Sequence, residues 1–96
     1  MIAVKVTQNG ITVNGHAGYA ETGNDIVCAA VSALAQNLIQ SIEALTQDRI
    51  SYQIQEGHIG IQYKNLSEQG KMLVDSFFIG ICAVANTYGE NYVHLL

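Results

Sequence analysis

The chain lacks proline and has few charges: four Lys and Arg residues and eight Asp and Glu residues among 96. Without proline, a low-complexity tract or a run of like charges, no segment has the composition of a linker. Four scattered basic residues and a net charge of −4 argue against a protein that holds a nucleic-acid backbone by itself. A chain this short also cannot build two separate cores. We therefore predict a single domain, residues 1–96, with no direct nucleic-acid partner.

We also predict no targeting or membrane segment. Residues 1–10 alternate like a strand, and they lack the apolar centre and the small-residue cleavage site of a secretory signal. Gln36, Asn37, Gln40 and Glu43 interrupt the most apolar segment, so we expect no stretch of membrane-spanning length. The two cysteines then favour free thiols over a disulfide, because cytosolic thiols are kept reduced. We expect a cytoplasmic protein without a membrane partner.

Apolar residues, in contrast, make up 49% of the chain. No charged residue lies between Asp25 and Glu43, although a surface helix normally carries a charged face. Large exposed apolar patches usually mark an interface. We therefore expect a second copy of the chain to cover part of this surface, as in a homodimer.

Alternation of apolar residues predicts five strands. They cover residues 2–7, 11–15, 49–55 and 59–63, with a last short strand over residues 92–95. Asn9-Gly10 predicts a tight hairpin turn between the first two strands, and "EGH" at residues 56–58 predicts a turn between the next two.

Apolar residues at three- and four-residue steps predict two helices. The first runs from Asp25 to Leu45, and the second runs from Ser67, a plausible N-cap, to about Tyr88, where Gly89 stops it. The order ββαββαβ indicates an α+β fold, with two helices on one face of a small antiparallel or mixed sheet.

Cys28 and His16 flank the loop before the first helix, and they are the candidate catalytic pair. Asn24 or Asp25 can cap that helix, which puts Cys28 at the third or fourth helical position. Unpaired N–H groups and the helix dipole favour a thiolate there, and an imidazolium from His16 would favour it further. The same N–H groups are candidates to receive an oxyanion. An inert packing cysteine and a solvent-facing histidine remain the alternative.

Two neighbouring polar residues each have two interpretations. Asp25 either orients His16 or only caps the helix, and its negative charge would oppose a thiolate. Ser32 lies one turn after Cys28 on the same helical face, where it either lines a pocket or bonds back to the helix.

Other chemistry finds little support. The histidines and cysteines lack the spacing of a zinc site, so we predict no metal and no cofactor. A G-x-S-x-G sequence is also absent, which argues against a serine hydrolase.

The sequence "GHA" at residues 15–17, a short variable loop, and "GNDIVCAAVSAL" at residues 23–34 resemble the signature of the bacterial ribosomal-processing cysteine proteases, the Prp family. The resemblance implies a cytoplasmic homodimer with an α+β fold. It implies a cysteine endopeptidase whose partner is a ribosomal protein precursor. The implied reaction removes the hydrophobic N-terminal extension of large-subunit ribosomal protein twenty-seven.

Carried over by position, the resemblance makes Cys28 the nucleophile and His16 the catalytic histidine. It places Asp25 and Ser32 at supporting or substrate-binding positions. The glycines of the loop, Gly15, Gly18 and Gly23, imply a lid that closes over an extended peptide and excludes water.

Two other functions remain open at this point. The first is a ribosome-associated binding or assembly protein without catalysis. The second is a thiol acyl-transferase or thioesterase that uses the same Cys–His pair on another substrate.

Overall fold

A computed structural model describes all 96 residues. Five strands and two helices follow in the order ββαββαβ. They are β1 (Ile2–Thr7), β2 (Gly10–Gly15), α1 (Ile26–Leu45), β3 (Ile50–Gln55), β4 (His58–Tyr63), α2 (Glu68–Tyr88) and β5 (Val93–Leu95). The predicted α+β fold is confirmed.

The strands form one sheet in the order β3-β4-β2-β1-β5. Neighbouring strands are antiparallel except for β5, which pairs with β1 in parallel. The sheet is therefore mixed. Val4 pairs with Val13, and Val13 pairs in turn with Ile59, so one row of apolar side chains crosses three strands on the same face.

That apolar face carries both helices. α1 buries a stripe that includes Val27, Val31 and Ile42, each at most 1% exposed, and α2 buries Phe77 and Ile81. Burial of a large aliphatic side chain contributes about 1.5–3 kcal/mol, so this core accounts for the layered arrangement. The opposite face of the sheet carries exposed polar residues such as Lys5, Asn14 and Gln62.

Strand β3 is an edge strand that the helices cover only partly. Tyr52 and Ile54 pair with Ile61 and Ile59 and share their face, yet they remain 43% and 49% exposed. An open groove therefore lies between β3 and α1.

Both ends of α2 are set by capping residues. Ser67 begins α2, since its hydroxyl accepts from Gly70 N–H at 3.1 Å, and Gly89 ends it with φ 108°. Asp48 supports this start by accepting from Ser67 N–H at 3.0 Å and from Ser67 Oγ–H at 2.7 Å. The predicted cap and stop of α2 are confirmed.

The expectation that no stretch reaches the length of a membrane span is wrong. α1 and α2, with 20 and 21 residues, are long and apolar enough to cross a membrane by length and composition alone. The reason is that each helix combines an apolar core face with outer faces that carry few charges. The same test is passed by core helices of soluble proteins, and both helices here bury one side against the sheet.

Candidate active site

Cys28 lies in the first turn of α1, as its third residue. Asp25, with an extended backbone, is the N-cap: its Oδ1 accepts from Val27 N–H at 3.0 Å and from Cys28 N–H at 2.9 Å. The helix therefore begins at a fixed point, and its positive end lies next to the thiol. The Cys28 side chain is half-buried, which leaves the sulfur accessible from the cleft.

A backbone group of the preceding loop contacts the sulfur. Ala17 N–H donates to Cys28 Sγ at 3.2 Å, and Ala17 is itself only 3% exposed. The Ala17 N–H is therefore a donor aimed at the sulfur, and such a bond is stronger when its acceptor is charged. Nothing in the residue type at position 17 indicates this role, because a backbone N–H performs it.

His16 lines the same cleft as Cys28. It follows Gly15, whose φ of 99° turns the chain out of β2, a backbone geometry that favours glycine. The ring lies against Gly57, in the turn between β3 and β4. A Cβ at Gly57 would stand 3.0 Å from His16 Nε2. Gly15 N–H donates to Gly57 O at 2.8 Å, which ties this turn to the end of β2.

The Asp25 carboxylate holds the loop as well as the helix. Its Oδ2 accepts from Tyr19 N–H at 3.0 Å and from Ala20 N–H at 3.3 Å. The pKa of Asp25 lies below its ordinary value, chiefly because Cys28 N–H donates to the carboxylate, with smaller contributions from the loop N–H groups. All four hydrogen bonds that the carboxylate accepts come from backbone N–H groups. Asp25 is therefore a helix cap and a loop anchor, and it makes no hydrogen bond to His16.

The position of Asp25 changes one expectation. The sequence made the N–H groups around Cys28 candidates for an oxyanion, but those of Val27 and Cys28 already donate to Asp25. In this arrangement the helix contributes its dipole to the site, whereas these two N–H groups are engaged elsewhere.

Ser32 is half-buried and lines the cleft one turn after Cys28. Its hydroxyl makes no hydrogen bond to the helix backbone, so the contact that would explain it as a structural residue is missing. From here the cleft continues into the groove between α1 and the β3–β4 hairpin, which Val31, Ile54 and Ile59 line with apolar side chains. Gln36, on the next turn of α1, adds a polar group.

The loop glycines lie where the sequence places them: Gly18 and Gly23 have φ 71° and 92°, and Gly23 lines the cleft. The second thiol, Cys82, lies on α2 outside this cleft. It is half-buried and lines a separate depression beside His94.

Comparison with known proteins agrees with this geometry. The family model for cysteine protease Prp matches residues 1–93. The ribosomal processing cysteine protease Prp of Staphylococcus aureus (strain Mu50) is 29% identical over 100 aligned residues, which cover 95% of this chain and 94% of the relative. The Prp of Mycoplasma genitalium is 50% identical over 34 residues, 35% of this chain and 34% of the relative.

Solved structures share the whole fold. The protein SMU.848 from Streptococcus mutans superposes with a TM-score of 0.84 at 31% identity, covering 99% of this chain and 91% of its own. The S. aureus Prp protease, crystallised with a covalently linked product peptide, gives a TM-score of 0.87 at 22% identity, covering 98% and 94%.

The fold, the cleft with its helix-start thiol and the family match together define a cysteine protease. The chain belongs to the Prp family of ribosomal processing cysteine proteases.

Proposed function

We propose that this protein is an endopeptidase in which Cys28 is the nucleophile and His16 the general acid and base. Its proposed substrate is the precursor of large-subunit ribosomal protein twenty-seven, from which it removes a hydrophobic N-terminal extension. The observation that carries the proposal is the surroundings of the sulfur. Cys28 stands at the positive end of α1, receives Ala17 N–H at 3.2 Å, and shares its cleft with His16.

The proposed reaction has two steps. The Cys28 thiolate attacks the scissile carbonyl carbon, and a C–S bond forms as the carbonyl electrons move to oxygen. The oxygen electrons then return, the C–N bond breaks, and the His16 imidazolium protonates the leaving amine. This leaves a thioester and a neutral His16. Water attacks the thioester carbonyl carbon as His16 takes its proton, the C–S bond then breaks, and the acid leaves with the Cys28 thiolate and the His16 imidazolium restored.

Asp25, Ser32, Gly15 and Gly23 support this chemistry in the proposal. Asp25 fixes the helix start and the loop, Gly15 turns His16 into the cleft, and Gly23 and Ser32 line the cleft walls. The groove beyond Ser32 suits an extended apolar peptide, because Ile54 lies half-exposed on its wall. A peptide substrate is also supported by the S. aureus protease, which was crystallised with a substrate peptide.

We propose further that the enzyme acts in the cytoplasm as a homodimer. The side of α2 that faces away from the sheet exposes Met72 and Ile79, which are 71% and 68% accessible. Exposed apolar residues on an outer helix face suit an interface between two copies.

The test is cleavage of a peptide that spans the extension and the first mature residues of the host's ribosomal protein. Cys28→Ala and His16→Ala should each lower kcat/KM by more than about a thousandfold, because the remaining site lacks a nucleophile or a proton carrier. Cys82→Ala is the matched control, since it removes the other thiol, which lies outside the cleft, and should cleave like the wild type. Cleavage by Cys28→Ala at the wild-type rate would show that the mechanism is wrong.

A further inference from the structure

Residues 17–24, within the loop between β2 and α1, are held against the protein by an aromatic side chain. The ring of Tyr19 meets the rings of Tyr88 and Tyr92 with centroids 5.4 and 5.2 Å apart and planes at 76° and 75°. Tyr88 is the last residue of α2, and Tyr92 directly precedes β5. Edge-to-face pairs of this kind are attractive because the positive ring edge meets the negative ring face. We call these three residues the tyrosine cluster.

The tyrosine cluster holds the loop at Tyr19, two residues after Ala17, whose N–H contacts the Cys28 sulfur. Tyr19 is the only aromatic residue of the loop, and it is 43% exposed, so its ring contributes little to the core. Ala17, on the other side of Gly18, donates its N–H to Cys28 Sγ at 3.2 Å. Gly18 itself has φ 71° and open space around it, so it allows the loop to swing unless the residues on both sides are held.

We propose that Tyr19 is a positioning residue for Cys28: by docking its ring on Tyr88 and Tyr92, it keeps the Ala17 N–H on the sulfur. The inference rests on the proposed function, in which Cys28 acts as a thiolate. Undocking of the ring leaves this part of the loop held only by the Asp25 carboxylate, which accepts from the backbone N–H groups of Tyr19 and Ala20. The loosened loop keeps the Ala17 N–H on the sulfur for less of the time, and the sulfur has less support for its negative charge. Tyr19 therefore sets the fraction of enzyme that is ready for attack without touching the substrate.

Several other titratable groups line the cleft that contains the sulfur, and the test must separate their effects from that of the Ala17 N–H. They are His16, Glu21 and Asp25 on the loop side and Glu56 on the β3–β4 hairpin. The His58 ring instead bonds Asn14 Oδ1 on the polar face of the sheet. Of the groups that line the cleft, Glu21 moves with the loop. When the loop moves away, the Glu21 carboxylate moves away with it, and the loss of this nearby negative charge favours the thiolate. The undocked loop therefore disfavours the thiolate only if the loss of the Ala17 hydrogen bond has the larger effect.

The experiment measures alkylation of Cys28 by iodoacetamide, a neutral reagent, in a Cys82→Ala background that leaves one thiol. The rate constants at about pH 6 and about pH 9 are compared for the parent, Tyr19→Ala and Tyr19→Phe. For Tyr19→Ala, the ratio of the lower-pH rate to the higher-pH rate should fall roughly tenfold, the effect of losing one hydrogen bond to a charged group. Tyr19→Phe keeps the ring and should stay within about twofold of the parent.

Tyr52→Ala is the matched control, because Tyr52 is also 43% exposed but lies on β3 outside the tyrosine cluster. Its ratio should equal that of the parent. Thermal unfolding of each variant establishes that the folded protein is being alkylated.

Each result has one meaning. A loop that only loosened, without changing the support for the sulfur's charge, would change the alkylation rates at both pH values alike. If the parent protein reacts faster at the lower pH than a free thiol does, but Tyr19→Ala has the same rate ratio as the parent, the positioning role of Tyr19 is wrong and the proposed function stands. A parent ratio equal to that of a free thiol peptide would overturn the proposed function, and the positioning role with it. A fall in Tyr19→Ala that Tyr19→Phe restores supports both.

Discussion

Gly57 offers a way to move the proposed catalytic histidine without touching its chemistry. The residue has φ 73°, and a Cβ built on it would lie 3.0 Å from His16 Nε2. Gly57→Ala therefore does two things at once. It places an L side chain in a left-handed backbone conformation, and it pushes the imidazole ring away from the turn.

The two effects have different sizes. The left-handed conformation costs an L residue roughly 1–2 kcal/mol, which lowers the Tm of a chain of this size by roughly 5–15 °C. The ring must retreat by about 0.4 Å to reach ordinary contact distance, which begins at 3.4 Å. Since a misplacement of about 1 Å can cost about a hundredfold in rate, a shift of this size should lower kcat roughly sixfold.

The assay is steady-state cleavage of the extension peptide, measured well below the unfolding temperature and paired with thermal unfolding. Gly57→Asn is the companion variant, because asparagine tolerates the left-handed region better but carries the same Cβ. It should lose less stability than Gly57→Ala and the same amount of kcat. If Gly57→Ala unfolds earlier but keeps kcat within about twofold, the turn does not position the ring, and the reasoning fails.

Two further predictions concern stability and assembly. The pKa of Asp48 lies below its ordinary 3.8, chiefly because Ser67 Oγ–H donates to it, so its contribution to stability is present above that pH and is lost as pH falls through the lower folded pKa. Asp48→Asn should lower the Tm at about pH 7. It should also reduce the fall in Tm on acidification to the part that is due to Asp25, and an equally steep fall would contradict the assignment. Ile79→Lys should convert the proposed homodimer to monomer in sedimentation equilibrium, whereas Gln62→Lys, on the polar sheet face, should not; a wild type that sediments as a monomer would exclude the dimer.

The sequence predicts the elements well because the same residues that set the periodicity also form the core. Val27, Val31 and Ile42 recur at helical steps and are buried in α1, and Val4 and Val13 alternate and are buried in the sheet. Both ends of α2 are predictable because serine favours the N-cap of a helix and glycine favours its C-terminal end, here Ser67 and Gly89. The order of the strands in the sheet does not follow from this periodicity, because β4 lies beside β2, and β5 beside β1, through contacts between segments that are distant in the sequence.

The candidate site is predictable only where side chains carry it. Cys28 and His16 were singled out from residue type and spacing, and the structure brings both into one cleft. The donor on the sulfur is a backbone N–H of Ala17, and the support behind His16 is a glycine without a side chain. Neither has a signal in a single sequence beyond the turn at "EGH". Alternation likewise set the face of Ile54 but not its exposure, which depends on how far the helices extend over the sheet.

The position of Asp25 makes the loop necessary to the proposed chemistry. A carboxylate at the N-cap of α1 strengthens the helix start, but its negative charge disfavours a thiolate three residues later. Four backbone N–H groups donate to it and hold its pKa below the ordinary value, the Cys28 N–H above all, and two of the four belong to the first turn of α1. The donor that the sulfur does have comes from the loop, at Ala17, and the same carboxylate anchors that loop through Tyr19 and Ala20. Asp25 therefore takes N–H groups from the helix start and holds in place the segment that supplies another, so loop conformation and thiol reactivity should change together.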